Sequence, residues 1–203
     1  AEFFPDDKER QPVPHWIPYG ESHQESESHP RSEKYPYLII SNHPRWRVHA
    51  NMDDSTWMRE IETCKVRGKD GYMYEPVWLN PVDAQKLNIE HGDIVKLYND
   101  RGAVLGGAYI TERIMPGVIY QDHGARLDPI IIGEFDRGGA NNLICPTKIL
   151  SKNCAGEVTS GFLINVEKVD IDELKKQYPE AFSRKFDKDA GFILDDWIEE
   201  VEK

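Results

Sequence analysis

Short strand-like runs separated by turn residues recur through the middle of this chain, and they restrict its fold more than any other feature. Each run is rich in β-branched or aromatic residues, and six of the seven end at, or are followed by, glycine, asparagine or aspartate. The runs lie at 37–41, 77–79, 94–99, 103–111, 118–121, 130–132 and 162–169. Because short strands at this spacing pair into sandwiches or barrels, the sequence predicts a mainly β domain.

Three local signals predict how some of these runs are joined. Asn80 can cap a helix, Pro81 suits its first position, and the helical run closes at Leu87. Residues 99–102, Asn-Asp-Arg-Gly, tolerate positive φ and predict a hairpin. The paired glycines at 106–107 interrupt a strand-like run, which indicates a bulge or a tight barrel corner.

Charge divides the chain into three segments. The net charge is −11, and both ends are acidic whereas residues 35–169 are nearly neutral. We interpret 1–34 as an N-terminal strap or linker, 35–169 as the barrel and 170–203 as an acidic helical extension. Within the extension, Asp170 and Glu173 form a capping box that predicts a helix over 171–178, and an apolar stripe predicts a second helix over 193–201.

The charge and hydropathy exclude several classes of function. An acidic chain repels phosphate backbones, so a nucleic-acid partner is disfavoured. No apolar run approaches the roughly 18 residues that a membrane span needs, so direct membrane insertion is not expected. The first ten residues lack the features of an export signal, and we expect a cytoplasmic protein. Ala1 stands where an initiator methionine is usual, which suggests a piece of something larger.

Familiar catalytic and metal-binding motifs are not found in the sequence. There is no phosphate loop, no Gly-x-Gly-x-x-Gly and no His-Glu-x-x-His. The three cysteines, Cys64, Cys145 and Cys154, form no Cys-x-x-Cys pair, and we assign them structural roles. The seven histidines are dispersed along the chain, so no histidine metal cluster is predicted. The adjacent carboxylates Asp53 and Asp54 are interpreted as solvated.

Three loops carry side chains that are unusual for plain scaffold. The first, 41–51, concentrates amides, cations and an indole directly after a strand-like run. The second, 121–126, contains Asp-His-Gly, and the third, 138–143, joins two glycines to two asparagines. Arginine forks bind phosphate, and glycines let a backbone approach a ligand closely. Each could be ordinary loop, but together they favour a ligand site built from loops.

The same segments carry a resemblance to a known family. Residues 75–84, 92–95 and 99–102, with Arg47-Val48-His49 in the first loop, closely match one domain. The chain resembles the C-terminal molybdopterin guanine dinucleotide-binding domain of the dimethyl sulfoxide reductase family of molybdenum and tungsten oxidoreductases. The similarity covers about 35–168. Within that family, residues 133–146 resemble the large subunits of pyrogallol-phloroglucinol transhydroxylases and related aryl dehydroxylases.

This resemblance implies a six-stranded double-psi β-barrel of the aspartate-decarboxylase-like type, with short helices. It implies a bis-molybdopterin guanine dinucleotide with molybdenum or tungsten as cofactor of the full-length enzyme, which would be a transhydroxylase acting on phenols. Iron-sulfur clusters would lie in other domains or subunits. The expected partners are the remaining domains of the catalytic subunit and an iron-sulfur subunit, and the domain alone would be inactive.

The resemblance also implies cofactor contacts at particular positions, whereas metal ligands and catalytic residues would belong to other domains. The implied cofactor-binding residues are Ser41, Asn42, Arg47, His49, His123, Gly124, Asn141, Asn142, Thr159 and Ser160. Two alternatives stay open. A double-psi barrel can be a protein-interaction adaptor, which would not need these residues, and it can be a separately encoded cofactor-binding subunit of a formylmethanofuran dehydrogenase-type enzyme.

Overall fold

Most of the chain folds into short strands, with few and brief helices. The computed structural model describes residues 5–10, 13, 21, 29–53, 55–147, 149–157, 160–184, 186–187 and 192–193. The strands are β1 (Tyr37–Ile40), β2 (Val66–Arg67), β3 (Met73–Tyr74), β4 (Pro76–Leu79), β5 (Ile94–Tyr98), β6 (Ala103–Ile110), β7 (Val118–Gln121), β8 (Pro129–Ile131), β9 (Phe135–Asp136), β10 (Ile149–Ser151), β11 (Cys154–Glu157), β12 (Phe162–Lys168), β13 (Phe186–Asp187) and β14 (Phe192–Ile193). The α-helices are α1 (His29–Lys34), α2 (Thr56–Arg59), α3 (Pro81–Leu87), α4 (Ile171–Gln177) and α5 (Pro179–Phe182), and a 3₁₀ turn spans Asn141–Leu143.

Six strands close into a barrel. Around the ring the order is β1, β12, β5, β6, β4 and β7, and β7 pairs back onto β1. The pairs β1–β7 and β4–β6 are parallel, and the other four pairs are antiparallel. Closure removes the exposed strand edges that would otherwise invite aggregation. This arrangement is the predicted six-stranded double-psi β-barrel.

All seven predicted strand-like runs are strands in the structure, with ends that agree within one residue. The predicted hairpin at 99–102 joins β5 to β6. In β6 the first half pairs with β5 and the second half with β4, and the glycines at 106–107 lie where these pairings meet. A Cβ atom at Gly106 would overlap the side chain of Val77 and the carbonyl of Glu75. The predicted tight corner is therefore confirmed.

Helix α3 begins and ends as its sequence predicts. The side chain of Asn80 accepts a hydrogen bond of 2.9 Å from the backbone N–H of Val82. Asp83 in the first turn is buried and accepts a 2.6 Å hydrogen bond from the backbone N–H of Gly117. The helix consequently holds the turn that leads into β7, the strand before the second loop.

The barrel interior is an apolar core, and a second apolar cluster lies outside it. The inner cluster includes the fully buried Ile39, Leu97 and Phe162. The outer cluster joins Leu105 and Phe135 to partly buried side chains of α4 and the residue that follows it. Burying apolar surface on both faces of the sheet fixes its register.

Besides these apolar contacts, an arginine of the barrel domain contacts the C-terminal extension. The guanidinium of Arg137 lies 3.9 Å from the ring centroid of Tyr72 and 4.7 Å from that of Phe182 in α5, and it pairs with Asp70 at 2.7 Å. Asp170 caps α4, as predicted. The predicted second helix is wrong at its start, because Ile193 lies in β14, and residues 194–201 fall outside those described.

The last six residues of the predicted strap or linker form helix α1. Further upstream, Glu21 accepts a 2.7 Å hydrogen bond from the backbone N–H of Leu163 and pairs with Arg101 at 2.7 Å. Within the segment 1–34, Glu21 therefore lies against the barrel. Among the described residues, no helix has both the length and the apolar character needed to cross a bilayer.

Candidate functional site

The three loops selected from the sequence meet at one end of the barrel. Strands β1 and β7 are parallel neighbours, so the loops that follow them leave from the same edge. The backbone N–H of His123 donates to the carbonyl of Asn42 at 3.2 Å. The amide of Asn141 donates to the Ser41 hydroxyl, and the backbone N–H of Ser41 donates to the Ser160 hydroxyl at 3.0 Å. The prediction that these loops lie together is confirmed.

Gly124 lets the second loop touch the backbone of the first. It adopts φ of +81°, and a Cβ atom there would lie 2.5 Å from the carbonyl carbon and oxygen of His49. His49 itself has φ of +52°, a left-handed conformation that is uncommon for a residue other than glycine. This contact therefore fixes the distance between the backbones of the first and second loops.

Three imidazoles lie together where these two loops meet. The Nε2 atom of His123 is 3.2 Å from the Nδ1 atom of His49. The ring of His43 lies edge-on to both, with centroids 4.8 Å from His49 and 4.1 Å from His123. Burial, followed by the charges of His43, His49 and Arg47, lowers the pKa of His123 below its ordinary value. Three of the seven histidines, although far apart in sequence, thus form a cluster in the fold, which the sequence did not predict.

The predicted site residues divide by exposure. Exposed or half-buried, and so able to face a ligand, are Asn42, His49, His123, Gly124, Asn142 and Ser160. Buried are Ser41, Arg47 and Asn141, whose side chains hold the loops together. Thr159 lies outside the described residues. The structure thus separates residues that can touch a ligand from residues that position the loops.

A buried network of charges lies beneath the first loop. The Arg47 guanidinium donates to both carboxylate oxygens of Glu75 at 3.0 Å, to Asp53 at 3.1 Å and to the backbone carbonyl of His123 at 3.0 Å. Lys65 pairs with the same two carboxylates. Through these hydrogen bonds Arg47, which belongs to the first loop, ties that loop to the second loop and to Glu75. A direct contact between Arg47 and a phosphate stays a prediction.

The interpretation of Asp53 as a solvated carboxylate is wrong. Its side chain is 3% exposed and lies among Arg47, Arg59 and Lys65. Burial alone would raise the pKa of this carboxyl, but the charges of Lys65, Arg47 and Arg59 outweigh burial and lower it to about 2. Paired with cations to this extent, the carboxylate contributes to folding in its ionised form.

This pKa shift predicts a loss of stability in acid. Because the folded-state pKa of Asp53 lies below the unfolded value of about 3.9, its contribution is complete above that value and is lost as pH falls towards 2. The loss amounts to about 2 kcal/mol. Urea unfolding of wild type and Asp53→Asn between pH 6 and 2 should show a stability difference that shrinks as pH falls. A constant difference would contradict this assignment.

The polar groups around the loops fit a large ligand with aromatic and anionic parts. The amide of Gln121 is fully buried, and neither of its polar atoms has a hydrogen-bond partner among the described residues. A groove of about 300 Å³ opens beside the first loop. Its lining includes Trp46, Trp78, Arg45 and Arg113. Indoles stack on heterocycles and guanidinium groups pair with phosphates, so these residues suit a dinucleotide.

Sequence reasoning missed two parts of this site. His43 was recognised only as part of the first loop, although its position two residues after Ser41 placed it near the predicted contacts. Glu75 and Lys65 were not linked to Arg47, because nothing in the local sequence shows that these three side chains are buried together.

Comparisons with known proteins agree with this geometry. The family described as Molydopterin dinucleotide binding domain matches residues 37–159. The chain is 33% identical over 171 residues to the pyrogallol hydroxytransferase large subunit of Pelobacter acidigallici, which covers 82% of this chain and 19% of that protein. It is 34% identical over 158 residues to the trimethylamine-N-oxide reductase of Pasteurella multocida, covering 76% of this chain and 18% of the relative.

A solved structure shares the fold. The acetylene hydratase of Pelobacter acetylenicus superposes with a TM-score of 0.50 at 18% identity, over 78% of this chain and 21% of that one. The chain spans about a fifth of the length of the first two curated relatives named above. Since the family match extends over more than half of the residues and includes all three loops, the chain belongs to the molybdopterin dinucleotide-binding domains of the dimethyl sulfoxide reductase family of molybdenum and tungsten oxidoreductases.

Proposed function

We propose that this domain forms one wall of a bis-molybdopterin guanine dinucleotide site in a larger catalytic subunit. The observation that supports this is the meeting of three loops at one end of the barrel, with imidazole and amide groups at their surface. Such groups donate to pyrophosphate oxygens and pair with the edges of heterocycles. When bound, the cofactor supplies the metal's redox and oxygen-transfer chemistry, whereas the residues of this chain bind and orient it.

The exposed side chains are the proposed cofactor contacts. Asn42, His49 and Asn142 reach the surface, and His123 lies partly buried between the first two. Their positions depend on the buried residues, since Asn141 ties the third loop to the first. Thr159, which precedes Ser160, is retained in the proposed contact set.

The domain is proposed to be inactive alone. One wall of a site offers orientation and charge but does not enclose a substrate, and ordering loops around a partly exposed ligand costs free energy. The remaining domains of the catalytic subunit are therefore the required partners. An iron-sulfur subunit is a further proposed partner.

For the complete enzyme we propose transhydroxylation of a phenol. The support is the similarity to pyrogallol hydroxytransferase, which extends over 82% of this chain. Similarity to trimethylamine-N-oxide reductases supports oxygen-atom transfer as the second candidate. Assays of the purified complete enzyme with pyrogallol and with trimethylamine N-oxide separate the two, because each candidate predicts turnover of one compound and not the other.

The cofactor site is tested by occupancy. In the complete enzyme, His49→Ala and Asn142→Ala are expected to lower the molybdenum or tungsten and pterin content at least threefold, because each removes an exposed polar contact. Metal analysis and mass spectrometry of the released pterin measure this. His91→Ala provides a control, since His91 is exposed and lies after α3, away from the three loops. Full occupancy in both site variants would remove these residues from the cofactor site.

A further inference from the structure

The three imidazoles at the loop surface have the composition and spacing of a metal site. The ligand atoms of His43, His49 and His123 all lie within 4.8 Å of one another. Two of them, on His49 and His123, are 3.2 Å apart. In a tetrahedral zinc site with Zn–N bonds of about 2.0–2.1 Å, two nitrogen ligands are separated by about 3.3 Å. One pair already has this spacing, and the ligand atom of His43 lies within 4.8 Å of both.

We propose that His43, His49 and His123 form a binding site for one divalent transition-metal cation, of which Zn²⁺ is the reference case. Three imidazoles leave a fourth coordination position for water, which gives an open site. His43 and His49 are exposed, so a cation can enter from solvent. This proposal stands on the histidine geometry and does not depend on the proposed cofactor function.

The surroundings of His123 favour metal binding. Its backbone is held on both sides, since its N–H donates to the Asn42 carbonyl at 3.2 Å and its carbonyl accepts from Arg47 at 3.0 Å. A ligand side chain whose loop is already fixed needs less reorganisation to bind a cation.

The charges around the cluster do not prevent a cation from binding. Arg47 is the nearest buried cation, and it is paired with both Glu75 and Asp53. Asp122, which precedes His123, is buried and accepts a hydrogen bond from the hydroxyl of Tyr120. Arg45 is exposed on the same loop and can turn into solvent. The loops are also those proposed to hold the pterin, so a bound cation and the cofactor would exclude one another.

Zinc titration of the 203-residue chain tests the site. Calorimetry with Zn²⁺ at pH 7.5 is expected to show one equivalent bound, and His123→Ala is expected to weaken binding at least tenfold. His91→Ala is the matched control and should bind within twofold of wild type. Cobalt(II) substitution should give the visible absorption of a tetrahedral site in wild type and not in His123→Ala. At pH 5.5 binding should weaken, because protons compete for the imidazoles.

Two results would overturn the proposal. One is equal zinc affinity in wild type and a folded His123→Ala, which would place the cation elsewhere, and the other is no stoichiometric binding to wild type. If circular dichroism shows that His123→Ala is unfolded, histidine ring NMR of wild type decides, since zinc must then shift the signals of three rings and leave that of His91 unchanged. Because the two ligands exclude one another, the metal site is judged on the 203-residue chain without pterin, and the proposed function is judged on the pterin content of the complete enzyme. Failure of either result leaves the other proposal standing.

Discussion

Arg47→Ala is expected to lower the free energy of unfolding by about 3–5 kcal/mol, because it leaves buried carboxylates without their partner. The guanidinium is 1% exposed, and it forms two parallel hydrogen bonds with Glu75 and a third with Asp53. Lys65 remains, but a single ammonium cannot replace the fork of an arginine. The substitution also removes the hydrogen bond that Arg47 donates to the carbonyl of His123. Urea unfolding at pH 7 measures the loss.

Lys176→Ala is the control for this prediction. Lys176 and its partner Glu173 are about 70% exposed, and such surface pairs contribute less than about 1 kcal/mol. Arg47→Lys should fall between the two, since it keeps the charge and loses the bidentate geometry. An Arg47→Ala loss as small as that of Lys176→Ala would show that water replaces the guanidinium, and the first loop would then have no rigid support.

The barrel could be predicted from sequence because its signals are local. Asn80 and Pro81 begin α3 through bonds made within one turn, and the residues at 99–102 form a hairpin from their own backbone preferences. The two-residue strands β2, β3 and β9 could not be predicted in this way. They are too short to show any periodicity. Strand β9 exists because barrel strand β6 provides a partner, and among the described strands β2 and β3 pair only with each other.

The site was predicted in part, and for a related reason. The three loops were recognisable because their polar residues and glycines are close together in the sequence. The burial of Asp53 and Glu75 was not recognisable, because Glu75 is 28 residues from Arg47 and only the closed fold brings them together. The histidine cluster was missed for the same reason, since His123 is 74 residues from His49. Local chemistry therefore identified the loops, and the topology decided which side chains face a ligand.

Gly124→Ala is expected to separate the first two loops. The residue has φ of +81°, and a Cβ atom would lie 2.5 Å from the backbone of His49, which cannot move aside without moving its loop. Strain and overpacking together should cost about 2–4 kcal/mol in the free energy of unfolding. In the complete enzyme the displacement should lower pterin content more than His49→Ala does, because it moves several contacts at once.

Gly133→Ala separates the two causes of this loss. Gly133 has φ of +78° but open space around it, so alanine there has only the conformational cost. We expect Gly133→Ala to lose about 1–2 kcal/mol and to keep its pterin. Equal losses in the two variants would mean that the contact between Gly124 and His49 is not close. A larger loss at Gly124, with weaker zinc binding in the 203-residue chain, would show that this one contact sets the spacing of His49 and His123.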